Sequence, residues 1–131
     1  MSKEASERYR QGMETRRNVL GAAYVDGKEA TKKLFDVPFQ ELITEAAWGH
    51  VWSRETISKR ERSMLTLALL AGLGNYEELA LHTRATVNTG ASRDDIMETM
   101  LHVAIYAGVP RANHAMKVIN QVFEELDGGR K

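Results

Sequence analysis

Two side chains that can exchange protons lie one helical turn apart in the middle of this chain. Glu78 and His82 belong to the stretch NYEELALHTRATVNTG, residues 75–90, which has the pattern of an amphipathic helix. Residues four apart on a helix can touch, so the pair fits either a surface ion pair or an acid/base centre. Partial burial would favour the second alternative, because Glu78 would then raise the pKa of His82 and orient its ring for proton transfer near neutral pH.

Other residues with reactive or aromatic side chains follow the same spacing. His102 and Tyr106 form a second pair four residues apart, on the next predicted helix. Taken alone, His102 is expected to be a hydrogen-bonded histidine of the core. Trp48 and Trp52, also four apart, are expected to be core or interface anchors, because large aromatic rings dominate packing energies.

The composition excludes several classes of function. Lys plus Arg and Asp plus Glu each number 18, so the net charge is zero and no cationic field exists to hold nucleic acid. The chain has no cysteine, which excludes disulfides and thiol chemistry and fits a reducing cytoplasm. Glu78 and His82 could supply two metal ligands, but no convincing third is near, so we expect no metal site.

Length and hydropathy predict one helical domain over residues 1–131 that does not enter a membrane. The polar first residues do not resemble a secretory signal, and the longest apolar run, residues 64–73, is too short for a bilayer, which needs roughly 20 residues. The two prolines and the lack of an alternating pattern predict an all-α bundle. About six helices are expected. The first covers residues 3–25 and breaks at Asp26, and the second follows Pro38. The third runs from the Ser58/Glu61 capping pattern to Gly72 and Gly74, and the fourth ends at Gly90; the fifth follows the Ser92/Asp95 capping pattern, and the last covers roughly 112–126.

Two of these helices are apolar on more than one side. Residues 64–73 are apolar nearly all round, and the helix over 96–107 has apolar side chains on two opposite faces: Ile96, Met100, Val103, Ala104 and Ala107 on one, Leu101 and Ile105 on the other. Such helices are normally buried, and a small bundle has little room for two of them. We therefore expect a homo-oligomer, with complete wrapping by the other helices as the alternative.

Several motifs together resemble a known family. The run EELALHTRA, the segment SRDDI and the run HVAIYAGVPRANHA are similar to the carboxymuconolactone decarboxylase family, within the alkylhydroperoxidase-like superfamily. The upstream segment VPFQELITEAAWGHVWSR is similar to the same decarboxylase branch, so the resemblance covers about residues 36–114. It implies an all-α fold of the alkylhydroperoxidase-like type and a ring-shaped homo-oligomer, commonly a hexamer.

The resemblance also separates two branches of the superfamily. The peroxidase branch carries the motif Cys-x-x-Cys-x-x-x-His. When its histidine is aligned with His82, its two cysteines align with Asn75 and Glu78. The glutamate that relays protons in the peroxidase branch aligns with Ser63. Because both thiols are absent, peroxide reduction through a disulfide is excluded, and the decarboxylase branch is the better match.

The decarboxylase branch implies cofactor-independent decarboxylation of a small lactone dicarboxylate in aromatic catabolism, on the protocatechuate branch of the β-ketoadipate pathway. His82 would be the general acid or the donor to the oxyanion, and Glu78 would orient it. The expected substrate contacts are His102, Tyr106, Ser63 and Arg54, with Arg84 and Arg111 equally allowed as the carboxylate clamp. Two alternatives remain: an enzyme acting on another small lactone or carboxylate, and a non-catalytic helical scaffold.

Overall fold

The computed structural model describes residues 6–128, and every regular element in this range is helical. The seven α-helices are α1 (Glu7–Leu20), α2 (Ala22–Ala30), α3 (Val37–Ile43), α4 (Lys59–Leu73), α5 (Tyr76–Thr89), α6 (Arg93–Tyr106) and α7 (Val109–Leu126). A 3-10 turn, Leu34–Asp36, precedes α3, and a π-helix, Thr44–Trp52, follows it. The prediction of an all-α fold is confirmed. The backbone divides between Ser58 and Lys59 into two compact units, and the single-domain assignment stays a prediction.

The first predicted helix is two helices in the structure. Residues 3–5 lie outside the described residues, and the remainder divides at Gly21, whose φ of 96° interrupts the helix. Most side chains disfavour this conformation, whereas glycine adopts it freely. The predicted break at Asp26 is wrong, because α2 continues to Ala30 and Asp26 forms an ion pair with Arg17 of α1.

The amino-terminal unit is built on a close approach between α1 and the π-helix. A Cβ atom at Gly12 would overlap the carbonyl oxygen of Thr44, and one at Gly49 would lie 2.6 Å from the carbonyl oxygen of Arg8. Only glycine permits this spacing at both positions. The approach therefore depends on two residues that contribute no side chain.

The π-helix carries both tryptophans of the chain. Trp48 and Trp52 are buried, and their ring centroids are 5.3 Å apart. Beyond the last turn, the Ser53 hydroxyl donates to the Trp48 carbonyl oxygen at 2.7 Å and lies 2.7 Å from the Thr15 hydroxyl of α1. The expectation that the tryptophans are packing anchors is confirmed.

The carboxy-terminal unit is a bundle of α4 to α7. Helix α4 packs against α5 and α6, and α7 packs against the same two helices. The core between them consists of apolar side chains from all four helices: Leu67, Ala71, Leu79, Ile96, Met100, Val103, Ala112, Ala115 and Ile119. This core fixes the face that each helix turns inward.

The predicted ends of these helices are largely confirmed. Ser92 and Asp95 form the capping box, with the Asp95 N–H donating to Ser92 Oγ at 3.0 Å and the Ser92 N–H to Asp95 Oδ2 at 2.9 Å. The guanidinium of Arg60 holds the same carboxylate at 2.6 and 2.7 Å. The last helix begins at Val109, earlier than predicted, because Pro110 fits the first helical turn, where its missing N–H is not needed.

One surface of this unit is apolar. Its residues are each more than half exposed and lie along α4 and the outer side of α6: Leu65, Leu69, Leu73, Leu101, Ile105 and Tyr106. We call this surface the apolar face of α4 and α6. Between residues 6 and 128, no helix is both long enough and apolar enough to cross a membrane.

Candidate active site

Helix α5 presents its predicted acid/base pair to two different environments. Leu79 and Thr83 point into the bundle and are fully buried. His82, on the neighbouring flank, is 8% exposed, and Glu78 one turn earlier is exposed to solvent. The two residues share a flank, as the sequence predicted, but only the imidazole is removed from water.

The environment of His82 lowers its basicity. Burial lowers the pKa of His82 from 6.5 to about 4, because the charged imidazolium loses its hydration. Glu78 was expected to raise this pKa if the pair were partly buried, but that condition is not met, because Glu78 is exposed. Its carboxylate lies in water, where screening weakens its effect on a buried ring.

A neutral, buried imidazole is suited to a particular chemistry. At neutral pH one ring nitrogen carries a proton and the other is an acceptor. A ring N–H in a low-dielectric site is an effective donor to a developing oxyanion. Negative charge forming beside the ring also raises its pKa, so that the ring can take up a second proton from solvent at that stage and pass one on.

His102 and Tyr106 lie on the outer side of α6. Their ring centroids are 6.1 Å apart, and both side chains are exposed. They line a groove of about 450 Å³ together with Leu69 and Leu73 of α4. The expectation of a core histidine is wrong, because the core side of α6 is occupied by residues such as Val103. His102 was also expected to be hydrogen-bonded, and its Nδ1 atom makes one long contact, 3.4 Å from the Glu98 carbonyl oxygen.

Ser63 lies inside the carboxy-terminal unit. Its side chain is fully buried, and its hydroxyl is 2.7 Å from the Thr89 hydroxyl at the end of α5. This hydrogen bond joins α4 to the helix that carries His82. The role of Ser63 in substrate binding stays a prediction.

The three candidate arginines have different surroundings. Arg84 makes a two-point contact with Glu125, at 2.9 and 3.3 Å. The guanidinium of Arg111 lies against Gly74, where a side chain would overlap it. Arg54 follows the π-helix in the amino-terminal unit and is exposed. A substrate carboxylate at Arg84 would therefore have to compete with Glu125.

Two polar groupings are not apparent from the helical patterns. Tyr76 and His114 stack with centroids 3.9 Å apart and planes 6° from parallel. Arg16 is buried in the amino-terminal unit beside Glu29. Over residues 6–128, no three His, Asp or Glu side chains come together as a metal site would require, and the expectation of a metal-free protein stays a prediction.

Comparison with known proteins identifies the family. The sequence pattern of the carboxymuconolactone decarboxylase family matches residues 38–121, well over half of the chain. The helical fold and the buried histidine on α5 fit this match. The chain belongs to the carboxymuconolactone decarboxylase family.

The relatives include two named decarboxylases. The chain is 41% identical to 4-carboxymuconolactone decarboxylase of Acinetobacter baylyi over 92% of its own length and 90% of that protein. It is 40% identical to nitrosuccinic acid decarboxylase npaB of Metarhizium robertsii over 88% of its length and 81% of that protein. An uncharacterized 15.0 kDa protein of Paracoccus denitrificans is 26% identical over 65% of each chain.

Proposed function

We propose that this protein is a carboxy-lyase that converts 4-carboxymuconolactone to the β-ketoadipate enol-lactone in protocatechuate catabolism. The observation that carries the proposal is the 41% identity to a 4-carboxymuconolactone decarboxylase over nearly the whole of both chains. A buried, neutral histidine on the helix that carries the family motif supports it. A cytoplasmic location is part of the proposal.

The reaction needs no external electron acceptor. The carbon–carbon bond to the departing carboxylate breaks, and its electron pair passes through the ring double bond to the lactone carbonyl oxygen. Carbon dioxide leaves, and the resulting dienolate takes a proton on the ring carbon next to the carbonyl. The protein must bind a dianion, stabilise the oxyanion and deliver the proton.

His82 is assigned to the oxyanion and the proton. Its ring N–H donates to the carbonyl oxygen as negative charge develops there. The pKa of the ring rises beside that charge, so its second nitrogen takes up a proton from solvent, and the imidazolium then delivers a proton to the ring carbon and returns to the neutral form. Glu78 is assigned to orienting the ring, from the solvent side of α5. His102 and Tyr106, which line the groove beside α4, are assigned to substrate binding. The role of the fully buried Ser63 and that of Arg54 as the carboxylate clamp stay predictions.

The identity to nitrosuccinic acid decarboxylase favours a second candidate substrate. Nitrosuccinate is also a small dicarboxylate, and a carboxylate on its nitro-bearing carbon can leave with the electron pair passing to the nitro group. Both compounds therefore contain their own electron acceptor. A protein that binds a dianion and donates a proton to carbon could act on either.

Turnover of the two substrates distinguishes the candidates. Freshly prepared 4-carboxymuconolactone and nitrosuccinate are supplied separately, with chelator present, and kcat/KM is measured for each. We expect kcat/KM to be higher for the lactone by about tenfold or more, which corresponds to about 1.4 kcal/mol. The reverse order would transfer the assignment to the nitro compound, and no turnover of either by folded protein would favour the scaffold alternative.

We further propose that the protein is a ring-shaped homo-oligomer, with a hexamer expected. The apolar face of α4 and α6 supports this, because six large side chains there are each more than half exposed. At about 100 Å² each they form a patch of roughly 600 Å², at the upper limit for a monomer and close to one side of a standard interface. A second copy of the chain would cover this surface.

A further inference from the structure

A polar pocket in the amino-terminal unit has no role in the proposed reaction. It has a volume of about 320 Å³ and lies among α1, α2 and the start of α3. Three cationic side chains line it, Arg16, Lys28 and Lys32, together with the acidic Glu29 and Asp36. The lining therefore carries one net positive charge. A pocket of this size accommodates a small molecule.

Arg16 is the buried element of this pocket. Only 8% of the residue is exposed, and its Nη1 atom lies 3.1 Å from Glu29 Oε1. Among the described residues this is the one ion pair of the guanidinium, which has five N–H donors. A guanidinium that lines a pocket with donors to spare is suited to bind an oxyanion through two hydrogen bonds.

Glu29 compensates part of the positive charge. Its Oε2 atom lies 2.7 Å from Lys32 Nζ, so one carboxylate serves both Arg16 and Lys32. Burial alone would raise the pKa of Glu29, but Lys32 and Arg16 together lower it below its ordinary value, so the carboxylate stays charged. Lys28, 5.7 Å from the ring centroid of Tyr24, then remains as additional positive charge.

The rest of the lining provides one further donor. Gln40 contributes an amide that can donate to oxygen, whereas the Thr31 hydroxyl already donates to the Gly27 carbonyl oxygen at 3.2 Å. An ion-pair network that served only to join α1 to α2 would need neither a pocket nor a third cation. The composition of the lining is that of a site for a small anion.

We propose that this pocket binds a small oxyanion, with Arg16 as its two-point partner and Lys28 as the source of attractive charge. A phosphate or a carboxylate of a small dicarboxylic acid has the required chemistry. Anion binding here is independent of the decarboxylation assigned to His82.

Calorimetric titration of the whole chain tests the site. Orthophosphate and succinate are titrated separately, each to about 10 mM, which detects binding with a dissociation constant of up to roughly the millimolar range. We expect saturable binding of at least one of them, with one site per chain. The tighter of the two ligands identifies the pocket as a phosphate or a dicarboxylate site.

Two substitutions with opposite expected effects locate the binding. Lys28→Gln should weaken it several-fold. Glu29→Gln should strengthen it several-fold, because the amide oxygen still accepts from Arg16 while the competing negative charge is lost. Lys117→Gln, on α7 of the other unit, is the matched control and should leave the affinity unchanged.

The proposal would be overturned if neither anion binds saturably. An affinity that is unchanged in both Lys28→Gln and Glu29→Gln would also overturn the proposal. The anion would then occupy another site, such as one for the dianionic substrate. Circular dichroism of each variant establishes that the fold is retained.

Discussion

At the scale of the residue, His82 combines burial with an unusually low basicity. Its imidazole is neutral at pH 7, since burial lowers its pKa to about 4. A neutral ring offers an N–H to an oxyanion without adding fixed positive charge to an apolar environment. The low pKa of His82 is therefore assigned to desolvation, whereas the spacing had left open a surface ion pair with Glu78 or an acid/base centre.

The low pKa of His82 predicts a specific loss of stability in acid. An unfolded chain protonates this histidine near pH 6.5, whereas the folded chain does so near pH 4. Between these values the unfolded state binds more protons, so the free energy of unfolding falls as the pH falls, by at most about 3 kcal/mol. Urea unfolding at several pH values from 7 to 4 measures this slope.

His82→Gln supplies the comparison for the acid slope, since glutamine does not titrate. The variant should lose the His82 part of the slope above pH 4, whatever its stability at pH 7. The Asp95 carboxylate does not interfere, because Arg60 lowers the pKa of Asp95 and its contribution is lost only at more acid pH. Identical slopes in the two proteins between pH 6.5 and 4 would contradict the assignment.

At the scale of the element, α1 and the π-helix depend on glycine contacts. Gly12→Ala should lower the free energy of unfolding by about 1–3 kcal/mol, because the new Cβ atom overlaps the Thr44 carbonyl oxygen and the helices must separate. Chemical denaturation of the variant and the parent protein measures the difference.

Gly27→Ala is the matched control for the glycine contact. Gly27 lies in α2, and a Cβ atom there has nothing within 4 Å. The substitution should therefore stabilise the protein, by about 0.5–1 kcal/mol, through helix propensity alone. Equal effects of the two substitutions would show that the close approach at Gly12 does not limit the packing.

Local sequence signals predicted the boundaries of the helices better than they predicted the burial of the site residues. Capping residues and helix-ending glycines gave most boundaries of α4 to α7, because those signals act within one turn. The π-helix was not predicted, because its bonding pattern has no comparable local signature. The exposure of Glu78 and His102 and the burial of Ser63 depend on neighbouring helices, which spacing along one helix does not reveal. The family motif singled out His82 among the four histidines of the chain, and its catalytic role stays a prediction.

At the scale of the whole molecule, the unpaired apolar face of α4 and α6 predicts self-association. The parent protein should have a mass in solution that is a multiple of 14.7 kDa by light scattering. Leu69→Lys combined with Ile105→Lys should reduce it to the mass of a single chain, because charged groups in a buried interface are costly.

Val87→Lys is the control for the loss of assembly. Val87 is 67% exposed, comparable to Leu69, but it lies on α5 and not on the apolar face of α4 and α6. This variant should retain the parent mass. A parent protein that is already a monomer, or a double variant that still assembles, would contradict the proposed interface.

The central claim is that His82 drives a cofactor-free decarboxylation, and a single assay tests it most directly. A cycloisomerase generates 4-carboxymuconolactone in place, and enol-lactone formation is followed spectrophotometrically with chelator present. We expect rapid turnover by the parent protein and a loss of about 10²–10⁴-fold in kcat for a folded His82→Ala variant, the usual contribution of a general acid. Full activity in that variant would contradict the mechanism.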